Sequence, residues 1–176
     1  MELFIWLIVL IFCYAIITYN SFIKRKNKIK QAASGIDVYL TQRFDLIPNL
    51  VECVKGYMTH EKETFIEIAR RRENYLQTKN LKEGENLNVE CNRIIALAEN
   101  YPELKASEHF LNLQKTLSKM ESQLQAARRI YNAEVNVYNN KVQMFPSNII
   151  ANIFNFTEEE FFEAEDEKRE NINVNY

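Results

Sequence analysis

Histidine and cysteine, the side chains that most often bind metals or act as nucleophiles, are scarce in this sequence of 176 residues. The pair His60-Glu61 is not followed at the required spacing by the second histidine of a His-Glu-x-x-His metalloprotease helix. The other histidine, His109, lies far along the chain, and the three cysteines are too widely spaced and odd in number for a disulfide framework. We therefore expect no metal site.

Catalytic signatures of other kinds are also missing. The chain has three glycines, too few for a Gly-rich phosphate loop, and no serine or cysteine stands in a nucleophile motif. Glu158, Glu159, Glu160 and Glu163 belong to an acidic tail, which we interpret as a solvated segment rather than a divalent-cation site. We expect a protein that is not an enzyme and that uses no cofactor, small-molecule substrate or nucleic acid.

Four polar and turn-forming residues mark a corner between two predicted helices. Arg43 and Asp45 precede Pro48, and Asn49 follows it. Asp45 has a side chain suited to cap the second of the two helices, whose first amide hydrogens need acceptors. The four residues are thus either a cap and an ion pair that fix a helical corner, or a docking corner for a partner.

Asn132 and Asn139 stand seven residues apart on one face of a long predicted helix. Polar residues repeated at heptad spacing can fix the register or the partner of a helix. Here they form either buried hydrogen bonds within a bundle or a surface for self-association. The other candidate interaction or structural residues are Glu52, Lys55, Tyr57, Glu61, Tyr101, Pro102, Arg128, Tyr131, Phe145 and Pro146.

An apolar segment at the N-terminus is suited to hold these residues at a membrane. Leu3 to Ile17 contains no charge, and eleven of its fifteen residues are Leu, Ile, Val or Phe, which favours insertion by roughly 3 to 7 kcal/mol. Thr18 and Tyr19 extend it to about the minimum length of a span. Because no basic residue precedes it and no small-x-small site follows, we predict an uncleaved transmembrane anchor over residues 1–19.

Five basic residues closely follow the anchor, and none precedes it. The positive-inside bias therefore predicts a cytoplasmic body and a short N-terminus outside the bacterial inner membrane. The cluster either binds anionic lipid headgroups, at about 1 kcal/mol per residue, or serves only as a stop-transfer flank. Its members are Lys24, Arg25, Lys26, Lys28 and Lys30.

The rest of the chain predicts long helices. Three glycines and three prolines are too few for the turns of a strand-rich fold, and an apolar period of about 3.5 residues between Phe110 and Phe145 is typical of left-handed coiled-coil packing. We predict an all-α fold, an antiparallel up-and-down bundle of about four helices over residues 20–156, followed by a mostly disordered acidic tail over 157–176. The apolar segment 145–156 either caps the bundle or lies on the bilayer. The predicted helices are 22–46, 48–77, 87–100 and 110–145, with a loop at 78–88.

Three stretches of the sequence resemble the motifs of the bacterial LemA family. They are GIDVYLTQRFDLIPNLVECVKGYMTHE (35–61), AENYPELKASEHF (98–110) and ARRIYNAEVNVYNNKVQMFPSNIIANIFNF (127–156). The resemblance implies one membrane helix, a cytoplasmic antiparallel helical bundle and no established enzymatic activity, and some relatives take part in shaping internal membranes of magnetic bacteria. This chain departs from the family pattern near Ala33, where many relatives have Trp, and in the tail after Phe162.

These predictions favour a non-enzymatic scaffold or interaction protein that is anchored in the bacterial inner membrane. We expect it to self-associate as a homo-oligomer at the membrane surface. The alternative is a monomeric adaptor that recruits another membrane or signalling protein. The lipid bilayer is a partner in both cases, whereas the identity of a protein partner does not follow from the sequence.

Overall fold

The computed structural model describes residues 1–57 and 62–162, and within these residues the chain is helical and contains no strand. The predicted all-α class is therefore confirmed. The helices are α1 (Glu2–Phe44), α2 (Ile47–Val54), α3 (Lys62–Thr78), α4 (Leu81–Ala98), α5 (Pro102–Lys105), α6 (Glu108–Gln143) and α7 (Ser147–Ile153). The chain forms two compact units: the first consists of Met1–Ala32 with the chain from Arg128 onward, and the second of Ala33–Ala127. Helices α1 and α6 contribute residues to both units.

The predicted anchor and the first predicted soluble helix form one uninterrupted helix, α1. It runs for 43 residues without a proline. Its first part is apolar and exposed, and the helix is long and apolar enough to cross a membrane. Its later part buries Phe22, Ile29 and Ile36 at seven-residue spacing, which is the repeat of one helix face. One helix therefore carries the membrane-like segment and contributes buried side chains to each unit.

The core of the first unit joins α1 to α6 and α7. The Phe22 ring meets Tyr138 edge-on at 6.0 Å and stacks on Phe156 at 4.7 Å between ring centroids. Aromatic pairs of this kind add about 0.5 to 1.5 kcal/mol beyond the area that they bury. The chain after α7 is thus held against α1. The buried side chains of this core are Phe22, Ile29, Val135, Tyr138, Ile150 and Ala151.

In the second unit α3 packs on α4 and on α2. Tyr75 of α3 is buried; its hydroxyl donates to Asp37 at 2.6 Å, and its ring meets Phe44 edge-on at 5.0 Å. Burial, and then the Asp37 carboxylate, raise the pKa of Tyr75. Gly84 of α4 lies against this ring, and a Cβ atom there would be 2.5 Å from Tyr75 Cε2 and 2.9 Å from Leu40 Cδ1. Glycine at this position therefore lets α4 pack closely against the Tyr75 ring of α3.

Replacing Gly84 with alanine is expected to lower the free energy of unfolding by about 1 to 3 kcal/mol, because the added methyl group would displace the Tyr75 ring from its Asp37 hydrogen bond and its Phe44 contact. The usual effect in a helix interior has the opposite sign, a gain of roughly 0.5 to 1 kcal/mol. Gly35→Ala in α1 is the matched control, since no atom lies within 4 Å of the added methyl group. Denaturant unfolding of the detergent-solubilised protein measures both variants. Equal stabilisation by the two would contradict the packing at Gly84.

The single helix predicted over 48–77 is wrong, because the structure divides it in two. Helix α2 ends at Val54, Lys55–Tyr57 form a turn, and α3 begins at Lys62. Gly56 lies in the turn, and glycine costs a helix about 1 kcal/mol relative to alanine. Pro48 does stand in the first turn of a helix, as predicted.

The loop predicted over 78–88 is also wrong, since α4 begins at Leu81. Only Lys79 and Asn80 separate α3 from α4. The Asn80 side chain caps α4 by accepting from the backbone N–H groups of Lys82 at 3.0 Å and Glu83 at 3.3 Å. Asn80 and Glu83 have capping-box spacing, a helix-start signal that the polar composition of the segment concealed.

The long helix predicted over 110–145 is confirmed as α6, with each end shifted by two residues. Pro146 follows its end, as predicted. Within residues 1–57 and 62–162 the chain forms seven helices rather than four. The antiparallel bundle arrangement stays a prediction.

Candidate functional site

The apolar start of α1 is open to its surroundings on every face. All side chains from Met1 to Tyr14 are exposed, Leu3 to 87% and Leu10 to 68%. Contiguous apolar patches of this size mark membrane or protein contacts, because water-exposed surfaces rarely carry them. The segment has the composition and exposure of a membrane-spanning helix.

Three of the five predicted basic residues form ion pairs within the first unit. Arg25 and Lys28 of α1 approach Glu134 of α6 at 3.6 and 3.7 Å, and Lys26 approaches Glu159 at 3.1 Å. These pairs are partly exposed, so each contributes at most about 1 kcal/mol to stability. Part of the basic cluster therefore pairs with carboxylates of its own chain, and the rest is exposed. The two exposed members without a described ion pair are Lys24 and Lys30.

Asn132 and Asn139, here called the asparagine dock, bind the backbone of a segment that follows α7. Asn132 Nδ2 donates to the Phe162 carbonyl at 2.9 Å, and the Phe162 N–H donates to Asn132 Oδ1 at 2.8 Å. Asn139 makes the same pair of bonds with Glu159, at 2.8 and 2.9 Å. Seven residues of helix rise about 10.5 Å, and three residues of extended chain span about 10 Å. The heptad spacing therefore matches a three-residue spacing in the docked chain.

The docked segment, residues 156–162, contacts the first unit through every third residue. Phe156, Glu159 and Phe162 are half-buried, and the residues between them are exposed. The Phe162 ring meets Tyr131 edge-on at 5.4 Å, and the Tyr131 hydroxyl donates to the Glu160 carbonyl at 3.2 Å. Their partner is the chain's own extended backbone, which the sequence did not indicate, and a role in self-association stays a prediction. The remainder of the predicted tail, 163–176, lies outside the described residues.

The double substitution Asn132→Ala and Asn139→Ala is expected to release the docked segment without unfolding the helices. It removes four hydrogen bonds of about 1 kcal/mol each, and hydrogen exchange at the amides of Glu159 and Phe162 should accelerate at least tenfold. The exposed residue Asn136 on the same helix provides the control, as Asn136→Ala. Unchanged exchange in the double variant would show that the asparagines do not hold the segment.

The second unit contains a buried ion pair that the sequence did not predict. Arg43 is 1% exposed, and its guanidinium donates to the carboxylate of Glu121 on α6 and to the side-chain oxygen of Asn92 on α4. Asn88 Nδ2 also donates to the Glu121 carboxylate at 3.3 Å. No local pattern links these residues, since Arg43 and Glu121 are 78 positions apart.

The predicted corner around Asp45 is built differently from the expectation. Helix α2 has Leu46 at its N-cap and no side-chain cap, so the predicted Asp45 cap is wrong. Asp45 pairs with Arg72 of α3 at 3.0 Å, and Arg72 Nε donates to the Phe44 carbonyl at 2.7 Å. A side chain from a distant helix, and not a local cap, therefore secures the end of α1.

An open cleft of about 730 Å³ lies between α2 and the start of α6. It brings together three predicted candidates, Asn49, Glu52 and Tyr57, with His109. Cys53 also lines it, and burial, followed by the Glu52 charge, raises the pKa of the Cys53 thiol, which makes it a weaker nucleophile. In residues 1–57 and 62–162 no three His, Cys, Asp or Glu side chains are grouped as a metal site.

The remaining candidates are dispersed. Tyr101 and Pro102 form the N-cap and first position of α5. Arg128 is half-buried, whereas Phe145 and Pro146 are exposed after the end of α6. Of the two candidates on either side of the described gap, Lys55 lies in an exposed turn and Glu61 falls outside the described residues.

These features define a class of protein: an all-helical chain whose N-terminal helix is suited to a membrane and continues into a packed helical body. The chain belongs to the LemA family, whose sequence model matches residues 32–176. The predicted family is therefore confirmed. The match extends through the acidic tail, so the prediction that the tail lies outside the family pattern is wrong.

Curated relatives agree with this assignment. The chain is 26% identical over 163 residues to Protein LemA of Metamycoplasma hominis, covering 88% of this chain and 73% of that protein. It is 21% identical over 175 residues to Magnetosome protein MamQ 2 and to Magnetosome protein MamQ 1 of Paramagnetospirillum magneticum. That match covers 82% of this chain and 64% of each relative, so the chain spans slightly less than two thirds of the magnetosome proteins.

Proposed function

We propose that this protein is a non-enzymatic helical scaffold, anchored in the bacterial inner membrane by the first part of α1 and self-associating at the membrane surface. The observation that carries the proposal is the continuity of α1, whose exposed apolar start and buried later part belong to one helix. An anchor joined in this way fixes the orientation of the body relative to the lipid. The names of the magnetosome relatives support a place at a membrane.

The charge distribution supports a cytoplasmic body. The basic residues that follow the anchor favour the cytoplasmic side by the positive-inside bias. Lys24 and Lys30 are exposed, so they are the members best placed to meet anionic headgroups. The short N-terminus then lies outside.

A second apolar stripe, on α6 and the residue that follows it, supports self-association. Ile130, Val137 and Met144 are 59%, 39% and 62% exposed and stand seven residues apart. Ala133 and Asn140, also exposed, fall between them at the alternate heptad positions. These five residues, here called the outer seam, have the spacing of a two-stranded coiled coil. A polar residue such as Asn140 within such a seam fixes register.

The occupant that fits the outer seam is a second copy of this chain. Copies anchored in one membrane have the same orientation, so their α6 helices run parallel. Stable soluble complexes bury about 1,200 to 2,000 Å², more than a short seam provides, but anchoring raises the effective concentration of the copies.

Energy transfer between donor- and acceptor-labelled copies in vesicles tests the proposal. Wild-type protein should show transfer that persists on dilution with lipid, and Val137→Glu should reduce it to the level of random encounter. Ile66→Glu is the control, because Ile66 on α3 is 60% exposed and lies outside the seam. Wild-type copies that remain monomeric at every lipid ratio would overturn the scaffold and favour the monomeric adaptor.

A further inference from the structure

Helix α7 packs in the part of the first unit where the apolar run of α1 ends. Its residues Ile150 and Ala151 are buried in the first unit's core. That core extends to Ala15 and Tyr19 of α1, and Ala15 lies within the uncharged run that ends at Ile17. The body is thus packed onto the last turn of the membrane-like segment, not only onto the helix beyond it.

A ring contact made by the residue after α7 independently places this segment at the same level along α1. The rings of Phe154 and Tyr19 are 4.8 Å apart between centroids. The first charged residue after the anchor is Lys24, about 10 Å further along α1 than Ile17 at 1.5 Å per residue. An element beside Tyr19 therefore lies between the hydrocarbon and the basic cluster, which is the position of the lipid headgroups.

The surface that α7 presents there is apolar and uncharged. Phe145, Ile149, Ile153 and Phe154 are 79%, 49%, 63% and 50% exposed. No charged residue occurs from Val142 to Thr157. Ile149 and Ile153 are four residues apart, so they share one face of α7. Exposed apolar side chains at this position can bury their surface in the boundary between headgroups and acyl chains, and the strength of such binding scales with the apolar area buried.

We propose that α7 is a second membrane contact, with the side chains of Phe145, Ile149, Ile153 and Phe154 inserted among the lipid headgroups beside the anchor. The proposal rests on the proposed anchoring of α1 and adds a contact that the anchor alone does not require. Lipid fits better than a protein partner, because the patch lies beside the end of the anchor and its own segment carries no charge. Ile150 and Ala151 cover the core of the first unit, and the exposed residues beside them face lipid. One side of α7 therefore caps the core, and the other side contacts the membrane.

Fluorescence quenching by brominated lipids tests this proposal. Trp6 is the sole tryptophan, so a Trp6→Phe, Ile153→Trp protein reports on α7 alone. In phosphatidylcholine–phosphatidylglycerol vesicles, bromine near the headgroup should quench Ile153→Trp at least twice as strongly as bromine near the chain end. Asn136→Trp in the same background is the control, since Asn136 is exposed on α6 about ten residues before Pro146.

The outcomes separate this proposal from the anchoring on which it rests. Quenching at position 153 no stronger than at position 136, with Trp6 of the wild-type protein quenched, would overturn the contact of α7 and leave the anchor intact. Absence of quenching at Trp6 as well would overturn both.

A spin label at Ile149→Cys provides a second measurement that requires no bulky tryptophan. Cys13 and Cys53 are replaced by alanine, and Cys91 stays, because burial raises its pKa to about 12 and keeps it unreactive. Collisions with oxygen should exceed those with a water-soluble nickel chelate, and the reverse should hold at Asn136→Cys. Exclusion of both reagents at position 149 would indicate a protein partner or second copy and would overturn the lipid contact.

Discussion

Two lysines in the apolar helix, Ile8→Lys with Ile11→Lys, are expected to move the protein out of the membrane fraction. A lysine near the centre of a span costs about 2.5 to 3.5 kcal/mol, so the pair removes roughly 5 to 7 kcal/mol. That amount is comparable to the roughly 3 to 7 kcal/mol by which the uncharged run favours insertion. Sedimentation of cell membranes, with and without alkaline carbonate, measures the fraction retained.

The control for this experiment is Ile66→Lys, a charge placed on an exposed apolar residue of α3. It should stay in the membrane pellet like the wild-type protein. If the double lysine variant also stays in the pellet after carbonate treatment, another part of the chain holds the protein at the membrane, and the assignment of the anchor to α1 is wrong.

Replacing Glu121 with alanine is expected to lower the free energy of unfolding by about 3 to 5 kcal/mol. The substitution removes the Glu121 carboxylate from the 1% exposed Arg43 guanidinium, and removing one partner of a buried ion pair is costly. The double variant Arg43→Met with Glu121→Met should recover most of the loss, since apolar residues of similar volume often replace a buried pair without penalty. Denaturant unfolding of the wild-type protein and of these two variants measures the loss and its recovery.

An exposed ion pair provides the comparison. Glu67 pairs with Arg70 and Arg71 on the surface of α3, and their hydrogen bonds lower the pKa of Glu67 to about 2. Solvent screens this group, so Glu67→Ala should have little effect on unfolding. Similar losses in Glu67→Ala and Glu121→Ala would contradict the special role of the buried pair.

Periodicity predicted the two longest helices because it is a local property of the sequence. The uncharged run of α1 and the 3.5-residue repeat of α6 each extend over many turns, so a few unusual residues do not hide the pattern. The start of α4 was missed for the opposite reason. Gly84 and its polar neighbours resembled a loop, although Asn80 and Glu83 carried a capping signal. Gly84 is required by the Tyr75 ring of another helix, which no local pattern shows.

The candidate sites depended even more on distant partners. The sequence singled out Arg43, Asn132 and Asn139 as polar residues in helices, but it did not predict their partners. Arg43 pairs with a carboxylate 78 positions away, and the asparagines bind the backbone of a segment 20 and 30 positions away. The asparagines bind backbone N–H and C=O groups, which nearly every residue carries. The sequence of the docked segment therefore does not reveal the contact.

For the proposed membrane-anchored protein, the unbroken path of α1 makes bilayer thickness a mechanical input. Leu3 to Tyr19 spans about 25 Å, less than the roughly 30 Å of hydrocarbon in a typical membrane. A span shorter than the hydrocarbon is matched by thinning of the lipid around it, by snorkelling of flanking side chains or by oligomerisation, whereas bending or tilting would shorten the span further. Copies that self-associate as proposed would share one thinned annulus, so the elastic energy of the bilayer would favour their association and their sorting into thinner regions.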